Sequence, residues 1–178
     1  LGAGVHYFYM REVWASTGTS PTVFRYVDWI VTVQLQMVEF YLILAAVTAV
    51  SMGVFWRLLI GTVVMVVAGY MGEAGFINTT IGFVVGMAGW AYILYEIFSG
   101  EASKSAANAK PSVQSAFNTM KWIVTIGWAI YPLGYFLGYL AGGTDEATLN
   151  IVYNVADFIN KIGFCLAIWA AATTEADA

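Results

Sequence analysis

Residues 151–169 read IVYNVADFINKIGFCLAIW, an apolar stretch with Asp157 and Lys161 near its middle. Its length is close to the ~20 residues that a helix needs to cross a bilayer. A charged side chain at the bilayer centre costs about 2.5–3.5 kcal/mol on insertion scales, so such residues are typical of functional sites. Asp157 and Lys161 are four residues apart and therefore share one helix face. A lysine in a dry pocket is also the side chain that forms a Schiff base with an aldehyde.

The composition predicts a membrane protein. Hydrophobic residues make up 60% of the 178 residues and charged residues only 10%, whereas soluble domains carry about 25% charged residues. The net charge of −4 includes no basic patch, which argues against a nucleic-acid partner. The single cysteine, Cys165, excludes an intrachain disulfide and a cysteine-based metal cluster, and the single histidine, His6, excludes a histidine-rich metal site. We therefore predict no metal.

Five long apolar spans and one partial span follow one another along the chain. The long spans are 22–49, 55–75, 78–98, 112–140 and 149–171. We predict an all-α membrane protein in which residues 1–178 form a single transmembrane domain. Residues 1–10 are too short to cross and lack the basic region and cleavage site of a signal peptide. We interpret them as the end of a helix whose beginning is missing from the chain, with an N-terminal loop as the alternative.

The distribution of cations among the connections predicts the orientation of the spans. The second and fourth connections, with their flanks, carry Arg57, Lys104, Lys110 and Lys121. The odd-numbered connections carry only Arg11, with Arg25 just inside a span. Lysine and arginine are enriched in cytoplasmic loops. The C-terminus is therefore predicted to be cytoplasmic, and the 22–49 helix runs from outside to inside.

Two carboxylates share one face of the 22–49 helix. Asp28 and Glu39 are eleven residues apart, which leaves a rotation of only about 20° after three turns and separates them by about 16 Å along the axis. Arg25 and Thr32 lie near the same face, three residues before and four after Asp28. An outer carboxylate, a hydroxyl and an inner carboxylate in line are the arrangement that a proton relay needs.

Aromatic side chains inside the spans form a second pattern. Trp128, Tyr131 and Tyr135 follow at spacings of three and four residues and form a stripe beside Pro132, which interrupts helical hydrogen bonding. Rings near mid-membrane suit a flat, apolar, conjugated ligand, although interfacial anchoring or packing would explain any single ring. Similarly, Asp157 and Lys161 alone would be consistent with a buried ion pair that fixes helix packing.

Several of these stretches together resemble a known family. RYVDWIVT (25–32), WAIYPLG (128–134) and ADFINK (156–161) are similar to the third, sixth and seventh helices of microbial rhodopsins. GYMGEAG (69–75) and VQSAFNTM (113–120) narrow the resemblance to the proteorhodopsins, light-driven proton pumps of marine bacteria. The resemblance covers essentially all 178 residues. It implies a seven-helix bundle, of which this chain holds five full helices and the end of another, without its N-terminal part.

The resemblance also implies a role for each site residue. Lys161 would bind all-trans retinal as a Schiff base, Asp28 would be the counterion and proton acceptor, and Asp157 the second counterion. Glu39 would be the cytoplasmic proton donor, Arg25 would tune both counterions, and His6 would pair with the acceptor. The retinal pocket would be lined by Trp29, Thr32, Met65, Trp90, Trp128, Tyr131, Pro132 and Tyr135.

Two positions on the 22–49 helix carry further information. Gln36 stands where leucine or glutamine separates green- from blue-absorbing members, and it predicts a blue-absorbing protein. Gln34 stands where the family usually has proline, so the helix geometry there departs from the family pattern.

The resemblance implies a light-driven outward proton pump rather than an enzyme, in a bacterial inner membrane and in a ring-like pentamer or hexamer. Two alternatives stay open at this point. A sensory rhodopsin would share the retinal site but often lacks an inner proton donor, and a non-photochemical scaffold or transporter would use the ion pairs structurally. Binding of retinal, seen as colour, separates the last alternative from the other two.

Overall fold

The computed structural model describes residues 2–176, and every regular element in this range is helical. The helices are α1 (Gly2–Thr17), α2 (Thr22–Ala45), α3 (Met52–Glu73), α4 (Thr79–Ser99), α5 (Glu101–Ala107), α6 (Pro111–Trp122), α7 (Ile130–Tyr135) and α8 (Glu146–Ala176). Two π-helical turns, Ile123–Gly127 and Phe136–Leu140, flank α7. Residues 111–140 thereby form one long irregular helix, which we call the composite helix.

The bundle exposes many large apolar side chains and buries several polar ones beside its apolar core. Large apolar side chains such as Phe158, Ile126 and Trp169 are strongly exposed, while Arg25 and Asp28 are buried. Five helical segments are long and apolar enough to cross a membrane: Thr22–Ala45, Met52–Glu73, Thr79–Ala107, Pro111–Leu140 and Glu146–Thr174. This arrangement fits a lipid environment. Exposed apolar side chains are stable against lipid, and buried polar groups can bond one another. The predicted five full helices are confirmed.

Glycines bring α3 and α4 close together. A Cβ atom added to Gly82 would lie 2.8 Å from the Ala68 carbonyl oxygen, and one added to Gly89 would lie 2.8 Å from the Gly61 carbonyl oxygen. Neither distance is tolerable for a real side chain. Small residues of this kind drive helix packing in membranes, where van der Waals contact replaces the hydrophobic effect. The tight α3–α4 pair forms one wall of the bundle interior.

An aromatic core lies on the Glu39 side of the bundle. The ring of Phe40 from α2 packs edge-to-face on Phe117 and Phe164, with centroid distances of 5.3 and 5.4 Å. All three side chains are buried. They join α2, the composite helix and α8, and so hold together the three elements that carry the predicted site.

Helix boundaries differ from the sequence-based ranges at several ends. α1 continues to Thr17, seven residues past the predicted end at 10, because residues 11–17 contain no glycine or proline. It ends where Gly18 adopts a positive φ of 65° and its N–H bonds the Trp14 carbonyl, a common glycine helix stop. α2 ends at Ala45 rather than 49, and α8 begins at Glu146 rather than 149. The predicted connection 99–111 contains the short helix α5.

Gln34 leaves α2 unbroken. The helix runs without interruption from Thr22 to Ala45, which is possible because glutamine supplies the backbone N–H that a proline would lack. The departure from the family pattern therefore yields a regular helix between Asp28 and Glu39.

Candidate functional site

The Lys161 amine lies between two carboxylates. Its Nζ donates to Asp28 Oδ2 from α2 and, at 3.1 Å, to Asp157 Oδ2 on its own helix. The Lys161 side chain is 16% exposed, and those of Asp28 and Asp157 are 0% and 2% exposed. A single cation thus faces two buried acids, so a change of its charge or position alters both ion pairs at once.

Asp157 accepts three further hydrogen bonds. Tyr7 from α1 and Trp29 from α2 both donate to Oδ2, Trp29 at 3.0 Å, and Tyr131 from the composite helix donates to Oδ1 at 2.5 Å. Each of these three hydrogen bonds would weaken if the Asp157 carboxylate lost its charge. No sequence pattern indicates a role for Tyr7, because 150 residues separate it from Asp157.

Asp28 has fewer partners than Asp157. Besides Lys161, its side chain contacts His6 of α1, with 3.3 Å between His6 Nδ1 and Asp28 Oδ1. The structure therefore brings His6, Asp28 and Lys161 together as the sequence predicts. Thr32 is not among the residues that line the cavity described below, and its place beside the ligand stays a prediction. Its hydroxyl instead donates to the Asp28 backbone carbonyl at 2.9 Å, a bond that a threonine commonly makes to the carbonyl four residues earlier.

Arg25 points away from both counterions. Its guanidinium donates to Asn150 and, at 3.3 Å, to Ser20 Oγ, and its Cζ lies 5.1 Å from the centre of the Tyr153 ring. Among the described residues it forms no ion pair with Asp28 or Asp157. Side chains on a helix lean towards its N-terminus, which carries Arg25 towards the start of α2. Its tuning role stays a prediction.

An apolar cavity ends at the Lys161 amine. Counted with its opening to the surroundings, it holds about 790 Å³ of space between atoms. Eight of its wall residues were predicted: Trp29, Gln36, Met65, Trp90, Trp128, Tyr131, Pro132 and Tyr135. Trp29 and Tyr131 meet edge-to-face at 5.1 Å.

The cavity suits a flat apolar molecule that carries an aldehyde. Eight of the residues that line it are aromatic, and its single amine, Lys161, is the group that condenses with an aldehyde. Gln36 adds one polar group: it is buried, and its Nε2 has no partner among the described residues. That amide is free to act on a ligand in the cavity.

Glu39 lies on the same helix as Asp28 but outside the cavity wall. Its side chain is half-buried, and its Oε2 is buried without a partner in the described part of the chain. A carboxyl group in this setting is more cheaply kept neutral than charged. The role of Glu39 as proton donor stays a prediction.

The cavity wall also includes residues that sequence reasoning missed. Tyr26, Glu73, Tyr153 and Asn160 line it, and Glu73 has a buried Oε2 without a partner among the described residues. Glu73 lies at the end of α3, where a carboxylate is usually solvated, so its sequence position argued against burial. Only Tyr26 carried a usable signal, since it lies three residues before Trp29 on the face of α2 that points inward.

Comparisons with known proteins identify the family of this chain. Residues 2–175 match a family described as bacteriorhodopsin-like protein. The chain is 54% identical over 171 residues to the green-light absorbing proteorhodopsin of Gamma-proteobacterium EBAC31A08, covering 96% of this chain and 69% of that protein. It is also 54% identical over 172 residues to the blue-light absorbing proteorhodopsin of Gamma-proteobacterium Hot 75m4, covering 96% and 68%.

A solved structure shows the same fold. The crystal structure of blue light-absorbing proteorhodopsin from Med12 is similar with a TM-score of 0.83 and 53% sequence identity, covering 97% of this chain and 77% of that one. The identity to green- and blue-absorbing relatives is the same, so overall similarity does not distinguish the two colours.

Proposed function

Because the chain belongs to the bacteriorhodopsin-like family, we propose that it is a light-driven pump that moves protons outward across a membrane with retinal bound to Lys161. The observation that carries this proposal is the position of the Lys161 amine, at the end of an aromatic cavity and in contact with Asp28 and Asp157. The cavity and the amine fit retinal, a flat apolar aldehyde. When bound, retinal supplies absorption of visible light and an isomerisation that reorients the Lys161 nitrogen.

Asp28 accepts the proton from the Lys161 nitrogen. The two groups are already in direct hydrogen-bond contact, so the transfer needs no intermediary. Asp157 is the poorer acceptor, since protonating it would weaken the bonds from Tyr7, Trp29 and Tyr131 together. Asp157 thus stays charged and holds the nitrogen in place, while His6 orients the second oxygen of Asp28.

Glu39 returns a proton to the Lys161 nitrogen from the other side. It lies about 16 Å from Asp28 along α2, and its buried Oε2 lacks a partner among the described residues. Transfer to Asp28 first and from Glu39 second makes the net movement outward, given the orientation that the cations of the loops predict.

The proposal extends to the surroundings of the protein. The protein is a multi-pass membrane protein, and we place it in the bacterial inner membrane with a cytoplasmic C-terminus and all-trans retinal in the dark. The exposed apolar side chains face lipid, and we expect a ring-like pentamer or hexamer. Gln36, buried in the cavity wall with an unpartnered amide nitrogen, supports blue absorption. The activity moves an ion and converts no substrate.

Flash photolysis of the retinal-bound protein in lipid vesicles, with a pH-sensitive dye, tests the proposal. In a pump, the deprotonated Lys161 nitrogen regains its proton within one transport cycle, and the dye reports a matching proton signal outside. A photosensor would show slow decay without net proton movement. A chain that never becomes coloured with retinal would support the scaffold alternative instead.

A further inference from the structure

The composite helix contains two backbone carbonyls that its own hydrogen bonds leave free. The Trp128 N–H donates to the Ile123 carbonyl, five residues back, at 3.0 Å, and the Tyr131 N–H donates to the Trp128 carbonyl, three residues back, at 3.1 Å. In a regular α-helix these donors would bond the carbonyls of Val124 and Gly127. The cause lies partly in Pro132, which has no N–H for the Trp128 carbonyl.

Side chains from two other helices bond these carbonyls. Trp90 Nε1 of α4 donates to the Val124 carbonyl at 3.0 Å, and Asn160 Nδ2 of α8 donates to the Gly127 carbonyl at 3.0 Å. A buried carbonyl without a donor costs about 1–3 kcal/mol, so each bond removes a real penalty. A Cβ atom on Gly127 would overlap the Asn160 amide, which explains a glycine at this position.

Asn160 connects this irregular stretch to the charged site. Its Nδ2 also lies 3.4 Å from the Tyr131 hydroxyl, and that hydroxyl donates to Asp157 Oδ1 at 2.5 Å. Asn160 is 5% exposed and precedes Lys161 directly in the chain. A continuous hydrogen-bond chain therefore runs from the Gly127 carbonyl through Asn160 and Tyr131 to Asp157, and bonds in such chains strengthen one another.

We propose that Asn160 is a positioning residue that couples the hydrogen-bond register of the composite helix to the Asp157 carboxylate. The Asn160 amide bonds the Gly127 carbonyl, which the Tyr131 N–H would bond in a regular α-helix. If the composite helix shifted to that register, the Tyr131 N–H would share the carbonyl and weaken its bond to the amide. The Tyr131 hydroxyl would then lose the support of Asn160 and bind Asp157 less strongly. Packed helices with two discrete arrangements are the usual elements of such switches.

The inference rests on the proposed function, because it concerns the charge beside Lys161, but its first test needs no retinal. Solid-state NMR of the unsubstituted protein in lipid, with ¹⁵N in asparagine side chains and ¹³C in glycine carbonyls, measures the Asn160–Gly127 contact directly. The inference predicts a measurable dipolar coupling between Asn160 Nδ2 and the Gly127 carbonyl carbon, with and without retinal. Absence of the coupling in folded protein would overturn it, whatever the fate of the pump.

Asn160→Leu provides the second test, since leucine keeps the shape and removes the donor. In the retinal-bound protein the absorption should shift to shorter wavelength, because a less strongly bonded Asp157 holds more negative charge beside the Lys161 nitrogen. Asn154→Leu, on the same helix but without a bond to the composite helix among the described residues, is the matched control and should not shift. A variant spectrum identical to that of the unsubstituted coloured protein would overturn the inference. A colourless unsubstituted protein would instead refute the proposed function.

A double-substitution cycle separates coupling from general damage. Gly127→Ala should shift the spectrum by itself, because its Cβ displaces the Asn160 amide. In the Asn160→Ala background the same substitution should add no further shift, since the contact is already lost and the space is open. Independent, additive shifts would show that Asn160 and Gly127 act separately and would refute the coupling.

Discussion

Lys161 and Asp28 lie 133 residues apart in the chain, yet the amine of one donates directly to the carboxylate of the other. In the proposed pump, this contact joins the proton acceptor to the group that binds retinal. Asp28 is buried and the Lys161 side chain is only 16% exposed, so breaking this pair would leave a largely desolvated charge without its partner. The predictions below follow from this pairing and from the groups around it.

Replacing Lys161 should abolish colour. Lys161→Ala removes the amine but also leaves Asp28 and Asp157 without their cation, at a cost of about 3–5 kcal/mol for a broken buried pair. Lys161→Arg is therefore the sharper variant, because it keeps the positive charge and cannot form the bond to retinal. Both variants should stay colourless with retinal, and circular dichroism should show Lys161→Arg to be helical. Covalently bound retinal in either would place the attachment elsewhere.

Replacing Asp28 by asparagine should shift absorption to longer wavelength and reduce transport to background. Loss of the negative charge stabilises the excited state, in which positive charge moves away from the nitrogen. Acidifying the unsubstituted protein should produce the same band, since it neutralises the same carboxylate. Absorption spectra and light-induced pH changes measure both effects. Unchanged colour and transport in Asp28→Asn would assign the acceptor role to another group.

Glu39→Gln should leave the colour nearly intact and slow the decay of the deprotonated state by about 10²–10⁴-fold, the usual worth of a general acid or base. Added azide, a small diffusible acid, should restore part of the rate. The exposed Glu12 of α1 offers a control, as Glu12→Gln should leave the decay unchanged. Decay in Glu39→Gln at the original rate would favour the photosensor interpretation or another donor.

Gln36→Leu should shift absorption towards green. The Gln36 amide lines the cavity and favours the ground state, in which positive charge stays near Lys161. Gln34→Leu is a control on the same helix two residues away, because Gln34 does not line the cavity, and its spectrum should be unchanged. Spectra are compared at a pH where Asp28 is ionised. If Gln36→Leu showed no red shift, the colour assignment would be refuted.

Asp145 should make the stability of α8 depend on pH. Its carboxylate caps the helix by accepting bonds from the Thr148 N–H and hydroxyl at 2.9 and 2.7 Å, and these bonds hold its pKa below the ordinary value. A carboxyl with a lowered folded-state pKa stabilises the protein at neutral pH, and this contribution disappears as the pH falls through that value. Asp145→Ala should therefore lower the thermal midpoint at pH 7 but not in acid.

Asp145→Asn is the matched variant for this cap. Asparagine also caps helices but does not titrate. The difference in thermal midpoint between Asp145→Asn and Asp145→Ala should therefore be the same at every pH. If the difference between Asp145 and Asp145→Ala persisted unchanged in acid, the stabilisation would not come from the charged cap.

The parts of the site that repeat within one helix were predictable from the sequence. Asp28 and Glu39 share a face of α2, and Asp157 and Lys161 share a face of α8, because helical geometry alone sets these relations. Contacts between helices depend on how each helix is rotated about its own axis, and the spacing of residues within one helix does not determine that rotation. The sequence therefore did not predict that Tyr7 donates to Asp157 or that Arg25 pairs with neither Asp28 nor Asp157.

Local irregularities were also beyond the sequence. Pro132 indicated a break in the composite helix, but not the π-helical turn Ile123–Gly127 or its two free carbonyls. These depend on Trp90 and Asn160, which come from other helices. α1 was cut short at 10 because polar residues from Arg11 onward resemble a loop, whereas only Gly18 ends the helix.

The most direct measurement of the central claim is the pH of a suspension of cells that carry the protein with retinal, recorded as light is switched on. The account predicts prompt acidification of the medium that a protonophore abolishes and that Lys161→Arg lacks. A coloured protein that leaves the pH of the medium unchanged in light would contradict it.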